Sequence, residues 1–366
     1  MSHGGDIYRN KVNIDFSVNL SPLPLPEASA NVINTAMHKG LRDSSKYPDP
    51  EQTSVRRALT ALDNVDFDCI YAGSGASELI MACVRAVNPT TVLLALPCYT
   101  GYIHVIDSLS CHGTDHRISG SGGKSPQITK YFLKKENGFR LTEDILEYMT
   151  RDTDIMFLTD PWNPTGLNIP DVLLTAILDR AEENDIWVLL DQSFLPLSDK
   201  AEEPEAFSTA ELINRYSRLF IIRSYTKLFS LPGIRMGYML SSKDNISIIR
   251  KQLPEWNLSS VAASAMTACA ETAKNTSYIT DNTVMIKKER KYLSSELKRL
   301  GFTVYNSNTA FILLNAEYDL YSSLLEHGIL IRDCSDCEGL GKGFYRVAVK
   351  DHTSNALLIN TIQSCL

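Results

Sequence analysis

The sequence predicts an α/β protein in which a mostly parallel sheet is covered by helices on both faces and followed by a smaller α+β unit. Three observations predict it. Between residues 70 and 242, short apolar runs rich in β-branched and aromatic residues alternate with helical patterns, and strands separated by helices pair in parallel. Those runs are apolar throughout rather than alternating, as strands buried on both faces are. Beyond about 250 the pattern changes: one long helical stretch precedes several short strands and a last helix.

Taken in order, residues 1–30 are irregular. Ser21-Pro-Leu-Pro-Leu-Pro26 cannot be a helix, because alternate prolines remove donors and hold the chain extended. It leads to a helix near 27–39, and a second begins after Tyr47-Pro-Asp-Pro50 and runs to about 61. The short run 69–71 precedes a helix at 79–87. Strands are expected at 91–96, 155–159, 186–190, 219–223 and 236–241, with a helix at 171–184 and a Gly/Ser-rich loop at 119–125. A helical stretch at 258–300, short strands at 302–305, 311–315, 329–332 and 345–349, and a helix at 353–364 complete the chain. The expected organisation is an N-terminal arm (1–40) packed with the small C-terminal unit (251–366), and a large unit (41–250) between them.

Composition excludes several function classes. The 366 residues suffice for one large core or two modest ones. A net charge of −7 weighs against nucleic acid, since phosphate backbones reward a basic face. It leaves room for a local basic pocket. No apolar run approaches the roughly 20 residues a membrane span needs, and the N-terminus lacks the features of a signal peptide. Eight scattered cysteines, mostly in apolar segments, fit a reducing cytoplasm. Cys334-x-x-Cys337 has no second Cys or His pair at finger-like spacing, so no metal is expected.

The chemistry concentrates just past the expected strands. Residues 224–238 read SYTKLFSLPGIRMGY, which sets Lys227 beyond a buried strand among Ser224, Thr226 and Arg235. Gly73-Ser-Gly-Ala-Ser-Glu78 follows a short strand and opens a helix. Small residues there let backbone approach a phosphate, and a helix N-terminus supplies free N–H groups. Ala76 and Ser77 are the candidates for that contribution. Asp160-Pro-Trp-Asn-Pro-Thr-Gly166 follows strand 155–159, and Asp191 ends the run 186–190. A carboxylate just past a buried strand needs a partner.

Together these segments resemble the pyridoxal 5'-phosphate-dependent class I/II aminotransferases of fold type I, over nearly the whole chain. The resemblance implies that Lys227 forms the Schiff base with the cofactor. Ser224 and Arg235, with the backbone at Ala76 and Ser77, would hold the phosphate. Asn163 would donate to the phenolic oxygen and Asp191 would keep the pyridine nitrogen protonated. Tyr99, in Pro97-Cys-Tyr-Thr-Gly-Tyr102, would stack on the ring, with Tyr102 beside it. Tyr47 matches a tyrosine that reaches the phosphate of a neighbouring subunit, which implies a homodimer. Arg346 matches the arginine that takes the substrate carboxylate through its bidentate fork.

Within the superfamily the chain resembles the branch of histidinol-phosphate aminotransferase and threonine-phosphate decarboxylase. His3-Gly-Gly5 with Asp15-Phe-Ser-Val-Asn-Leu-Ser-Pro22 looks like the decarboxylase arm, which makes His3 and Asn19 candidate substrate residues. Asp191-Gln-Ser-Phe194 carries Phe where aminotransferases usually have Tyr. Ile331-Arg-Asp-Cys334 with Tyr345-Arg-Val-Ala resembles the decarboxylase C-terminus, where Arg332 would meet a substrate phosphate. Gln192 departs from both relatives, which carry Glu, and the 119–125 loop has no counterpart. The implied activity is decarboxylation of a phosphorylated amino acid or amine, with transamination as the alternative. A binding protein without turnover would be expected to lack the lysine or the ring aspartate, and both are present.

Overall fold

The apolar runs between 70 and 242, joined by one half-exposed edge strand, build one seven-stranded sheet, and the fold follows from how its two faces are covered. A computed structural model describes residues 4–109, 125–203, 207 and 209–366. The candidate His3 and nearly all of the 119–125 loop lie outside the described residues. The chain opens with strand β1 (Ile14–Asp15) and helices α1 (Glu27–Asp43) and α2 (Thr53–Asp63). Strand β2 (Ile70–Gly73) leads into α3 (Ala76–Val87), and β3 (Thr91–Leu96) into α4 (Thr100–Ser108). Next come β4 (Gln127–Phe132), β5 (Ile155–Thr159), α5 (Asp171–Glu183), β6 (Trp187–Asp191), the short α6 (Ala210–Arg215), β7 (Leu219–Arg223), β8 (Gly237–Leu240) and α7 (Lys243–Arg250). Helices α8 (Ser260–Asn275) and α9 (Tyr278–Arg299) follow. The remainder is β9 (Thr303–Val304), β10 (Phe311–Asn315), α10 (Leu320–Glu326), β11 (Ile329–Leu330), β12 (Arg332–Asp333), β13 (Phe344–Ala348) and α11 (His352–Cys365).

The large sheet has the order β2-β8-β7-β6-β5-β3-β4. Its pairs are parallel except those of β8, which runs against both β7 and β2. Alternate residues of one strand feed opposite cores, as the twofold period of a strand requires. Val92, Leu94 and Leu96 pack with Leu79, Cys83 and Ile106 of α3 and α4. Leu93 and Ala95 face the other way and share a core with Leu59, Ile177 and Ala265 of α2, α5 and α8. A third core joins Phe16 to α9, β10, β13 and α11.

One strand was not expected, and two local expectations differ. The edge strand β4 is a half-exposed strand whose polar positions hide the apolar pattern. The expected helix 258–300 is two helices, because Thr276 takes extended backbone and breaks the run. The expected strand 329–332 divides: β11 pairs with β1 of the arm, while β12 pairs with β13. Helix α8 packs on α1 and α2, and its alanines enter the core of the large sheet. Side-chain caps fix several helix starts: Ser242, Ser259, Asp319 and Asp351 each accept from a backbone N–H of the first turn. Among the described residues, no helix is long and apolar enough to cross a membrane.

Candidate active site

The carboxyl ends of β2, β3, β5, β6 and β7 converge on one edge of the sheet, where open α/β folds bind ligands. Because β8 is reversed, its first residues reach the same edge and bring Arg235 with them. A cavity of about 260 Å³ opens there. Its wall includes Lys227, Asp191, Asn163, Tyr99, Ser224 and Arg235, together with the α3 N-terminus at Ala76 and Ser77. Arg332, Arg346 and Asn19 line it from the C-terminal and N-terminal segments. Tyr47 is not among the lining residues; it is 79 % exposed and stacks on Trp256 at 4.4 Å between ring centroids.

Lys227 sits four residues past β7, half-buried, with Nζ donating to Thr226 Oγ1 at 3.3 Å. That hydroxyl is 2.8 Å from Ser224 Oγ, so a chain of small polar groups leads from the amine to the cup below it. Burial pushes the Lys227 pKa down, Asp191 opposes the shift, and Arg235 and Arg346 add to it. A lysine tuned this way gives up its proton more readily than one in water, which a nucleophilic amine requires.

Asp191, at the end of β6, is buried and held from two sides. Ser193 N–H donates to Oδ1 at 2.9 Å and the Tyr102 hydroxyl donates to Oδ2 at 3.0 Å. Thr159 Oγ1 lies 2.8 Å from the same hydroxyl, completing a Thr159–Tyr102–Asp191 chain. Burial, and then the neighbouring Asp191 carboxylate, push the Tyr102 pKa well up, so Tyr102 stays neutral and remains a donor. Sequence reasoning made Tyr102 only a neighbour of Tyr99, named Thr226 beside Lys227 without giving it a role, and did not find Thr159. The available signal was position: Thr159 is the last residue of a buried strand, and Thr226 lies between two candidate residues.

The cup at the α3 N-terminus depends on glycine. Gly75 has φ of +90°, and a Cβ there would lie 2.6 Å from an Arg235 guanidinium nitrogen. Arg235 therefore lies against bare backbone beside the free N–H groups that open α3. Tyr99 needs the same tolerance: a Cβ on Gly101 would lie 2.2 Å from its ring. The Tyr99 ring stands edge-on to Tyr102, with centroids 5.4 Å apart.

The far wall carries two guanidinium groups. Arg346 donates to Asn163 Oδ1 at 2.6 Å and to the Ser17 carbonyl at 3.0 Å, and its Nε is buried without a partner. Arg332 pairs with Asp336 at 2.6 Å and also donates to the Asp333 carbonyl. Asn19 Oδ1 is a second buried polar atom without a partner on this wall. Phe194 packs edge-on to Phe311, and Lys227 Nζ lies 5.8 Å from the Phe194 ring centroid, so the side facing the amine carries no hydroxyl from residue 194.

Gln192 finds its reason one layer deeper. Its amide oxygen accepts from Arg223 Nε at 3.0 Å and Nη2 at 2.9 Å, while Asp63 pairs with Arg223 Nη1. All three are buried. One guanidinium already faces one carboxylate, and a neutral amide completes its hydrogen bonds without a second negative charge.

With this geometry in place, the sequence matches the family Aminotransferase class I and II over residues 11–362. The chain belongs to that family. It is 30% identical over 359 residues to a threonine-phosphate decarboxylase of Salmonella typhimurium, covering 96% of this chain and 91% of that protein. It is 29% identical to an adenosylcobalamin biosynthesis bifunctional protein CobDQ of Leptospira interrogans, with 99% of this chain matched but only 41% of that protein's length spanned. A solved histidinol-phosphate aminotransferase from Clostridium acetobutylicum superposes with a TM-score of 0.82 at 28% identity, covering 96% of this chain and 98% of the other. A Sinorhizobium meliloti histidinol-phosphate aminotransferase, solved in complex with pyridoxal-5'-phosphate, superposes with a TM-score of 0.80 at 20% identity, covering 97% and 92%.

This family member is thus a pyridoxal 5'-phosphate-dependent enzyme, of the aminotransferase or the decarboxylase kind, built on fold type I. The residues present fit that cofactor. A glycine-lined cup with an arginine and a helix N-terminus suits its phosphate, a buried carboxylate suits its ring nitrogen, and a lysine of lowered pKa suits its aldehyde.

Proposed function

We propose that this enzyme decarboxylates a phosphorylated amino acid, O-phospho-threonine or a close relative, releasing carbon dioxide and a phosphorylated amine. The observation that carries the doubly anionic substrate of this reading is the Arg332–Arg346 pair. The two are register partners on the adjacent strands β12 and β13, and both line the cavity. Like charges directly opposite each other on a sheet are destabilising. Burial, with Arg332 adding to it, pushes the Arg346 pKa down. A substrate with two anionic groups relieves that repulsion, one group per guanidinium.

In this reading Lys227 would carry the cofactor, Ser224, Arg235 and the backbone at Ala76 and Ser77 would hold its phosphate, Asn163 and Asp191 would hold its ring, and Tyr99 would stack on it. When bound, pyridoxal phosphate supplies an electron sink for the bond broken at the substrate's Cα. Arg346 takes the carboxylate and Arg332 the phosphate, with Asn19 and His3 completing the arm side. The arginines would set how the substrate's Cα bonds are oriented in the site, and positioning of that kind is worth several kcal/mol of barrier. Lys227 Nζ then returns a proton to Cα after carbon dioxide leaves.

The reading extends to the whole protein: a homodimer in which Tyr47 reaches the other subunit's cofactor phosphate, in the cytoplasm. The free buried cysteines support a reducing compartment. Transamination is the second reading, favoured by the likeness to the Clostridium acetobutylicum aminotransferase. The test is product analysis with O-phospho-threonine and no keto acid. Decarboxylation needs no amino acceptor, so amine and carbon dioxide accumulate over many turnovers. Turnover of histidinol phosphate with 2-oxoglutarate, and no amine from O-phospho-threonine, would overturn the proposal.

A further inference from the structure

The Cys334-x-x-Cys337 pair has no part in the chemistry above, yet both residues line the active-site cavity. They close a tight turn in which Cys337 N–H donates to the Cys334 carbonyl at 2.9 Å. Asp333 braces the turn by accepting from Ser335 N–H at 2.9 Å and Ser335 Oγ at 3.0 Å. A four-residue turn brings its end Cα atoms within about 7 Å, the range a disulfide spans at about 4.4–6.8 Å. Both thiols are free and buried. Cys337 Sγ also lies 3.9 Å from an Arg332 guanidinium nitrogen.

The two thiols are electrostatically unequal. A hydrogen bond from Cys334 draws the Cys337 pKa down, burial opposes this, and Arg332 adds to the lowering. The same hydrogen bond, with burial, pushes Cys334 up. A thiol of depressed pKa beside a resolving cysteine is the arrangement that undergoes exchange. Cys98 lines the same cavity, but burial first, and then Cys337, push its pKa up, which leaves it an inert thiol.

We propose that Cys334 and Cys337 form a reversible disulfide in the active-site wall by exchange with a low-molecular-weight disulfide, and that this weakens substrate binding at Arg332. The Cys337 thiolate attacks one sulfur of the small disulfide, making a mixed disulfide and releasing a thiolate. Cys334 then gives its proton to that released thiolate and attacks the Cys337 sulfur, expelling the second small thiolate. The protein loses two electrons and the small disulfide gains them. Arg332 thereby loses the Cys337 thiol as a neighbour that can take a negative charge, and the disulfide closes the turn that carries Asp336, its carboxylate partner.

The link to Arg332 rests on the substrate reading above, so the experiment separates the two. Reduced holoenzyme is incubated with 2-hydroxyethyl disulfide, quenched with N-ethylmaleimide, digested and weighed. The peptide holding both cysteines is expected to carry no maleimide and to be two hydrogens lighter, a change reversed by dithiothreitol. KM for whichever phosphorylated amino acid the enzyme turns over is expected to rise about tenfold or more, with kcat changed less. C98S should keep the disulfide and C337S should lose it. The proposal is overturned if both thiols remain alkylated, if Cys337 links to Cys98 instead, or if the disulfide forms and KM does not move. The mass reading stands whatever the substrate proves to be.

Discussion

Lys227 is set apart from the other lysines by its surroundings: a half-buried amine whose charge is favoured by Asp191 and opposed by Arg235 and Arg346. Replacement by Ala removes a covalent role and no packing of consequence, so Lys227→Ala should fold, with an unchanged circular dichroism spectrum. It should show no visible band from lysine-bound cofactor and no cofactor mass fixed by borohydride. The pH dependence has a definite sign. Because the pKa is lowered, the neutral amine appears below the ordinary lysine value of about 10.4. The rate at which apoprotein takes up pyridoxal should therefore reach half its plateau below that pH. Asp191 opposes the lowering, so Asp191→Asn should move the midpoint further down; an upward move would contradict the assignment. Asp191→Asn should also cut turnover at least tenfold, or about 1.4 kcal/mol of barrier, because an amide cannot hold a ring nitrogen protonated by charge. Turnover within about threefold of wild type would count against that role.

At the level of elements, β6, β7 and α2 are tied by the buried Asp63–Arg223–Gln192 cluster. Asp63 supplies its only carboxylate among the described residues, so Asp63→Asn leaves a buried guanidinium without a counter-charge. Losses of that kind run to about 3–5 kcal/mol, and a urea midpoint should fall accordingly. Gln192→Glu alone adds a surplus negative charge and should also destabilise. The double variant Asp63→Asn/Gln192→Glu restores one charge of each sign and should recover part of the loss. If the two changes simply add, charge balance is not why a glutamine stands at 192.

At the scale of the whole molecule, the N-terminal strand and the C-terminal sheets share one wall of the cavity. Phe16 N–H donates to the Leu330 carbonyl at 2.7 Å, and Ala348 N–H donates to the Phe16 carbonyl at 2.8 Å. The chain ends thus help to position Ser17 and Asn19, which line the same cavity as Lys227. Tyr47 and Trp256 form an exposed stacked pair away from those lining residues, and the proposed homodimer gives them a partner. Sedimentation of holoprotein at micromolar concentration should give twice the chain mass. Mixed dimers of Tyr47→Ala with Lys227→Ala would have both defects in one of their two sites if Tyr47 crosses over, and one intact site should restore activity. A cofactor-loaded monomer would rule this arrangement out.

The amino-acid sequence alone determined the α/β class and most element positions. Strands 91–96, 155–159 and 219–223 are continuous apolar runs, and burial on both faces writes itself into local composition. Lys227, Asp191, Asn163 and the Gly-rich turn were legible because each sits where a strand ends, and strand ends are marked locally by Gly, Pro and polar residues. Tertiary structure decided what local pattern cannot carry. The reversal of β8 brings Arg235 to the edge where β7 delivers Lys227, and no residue of β8 announces its direction. The edge strand β4 lost its apolar signal because one side faces away from the core. The run 329–332 divides between two sheets because β1 and β13 both compete for it. The Thr159–Tyr102–Asp191 chain and the Gln192–Arg223–Asp63 cluster join residues far apart in sequence. Such pairings depend on strand order and helix packing, and they exist only once the chain has closed on itself.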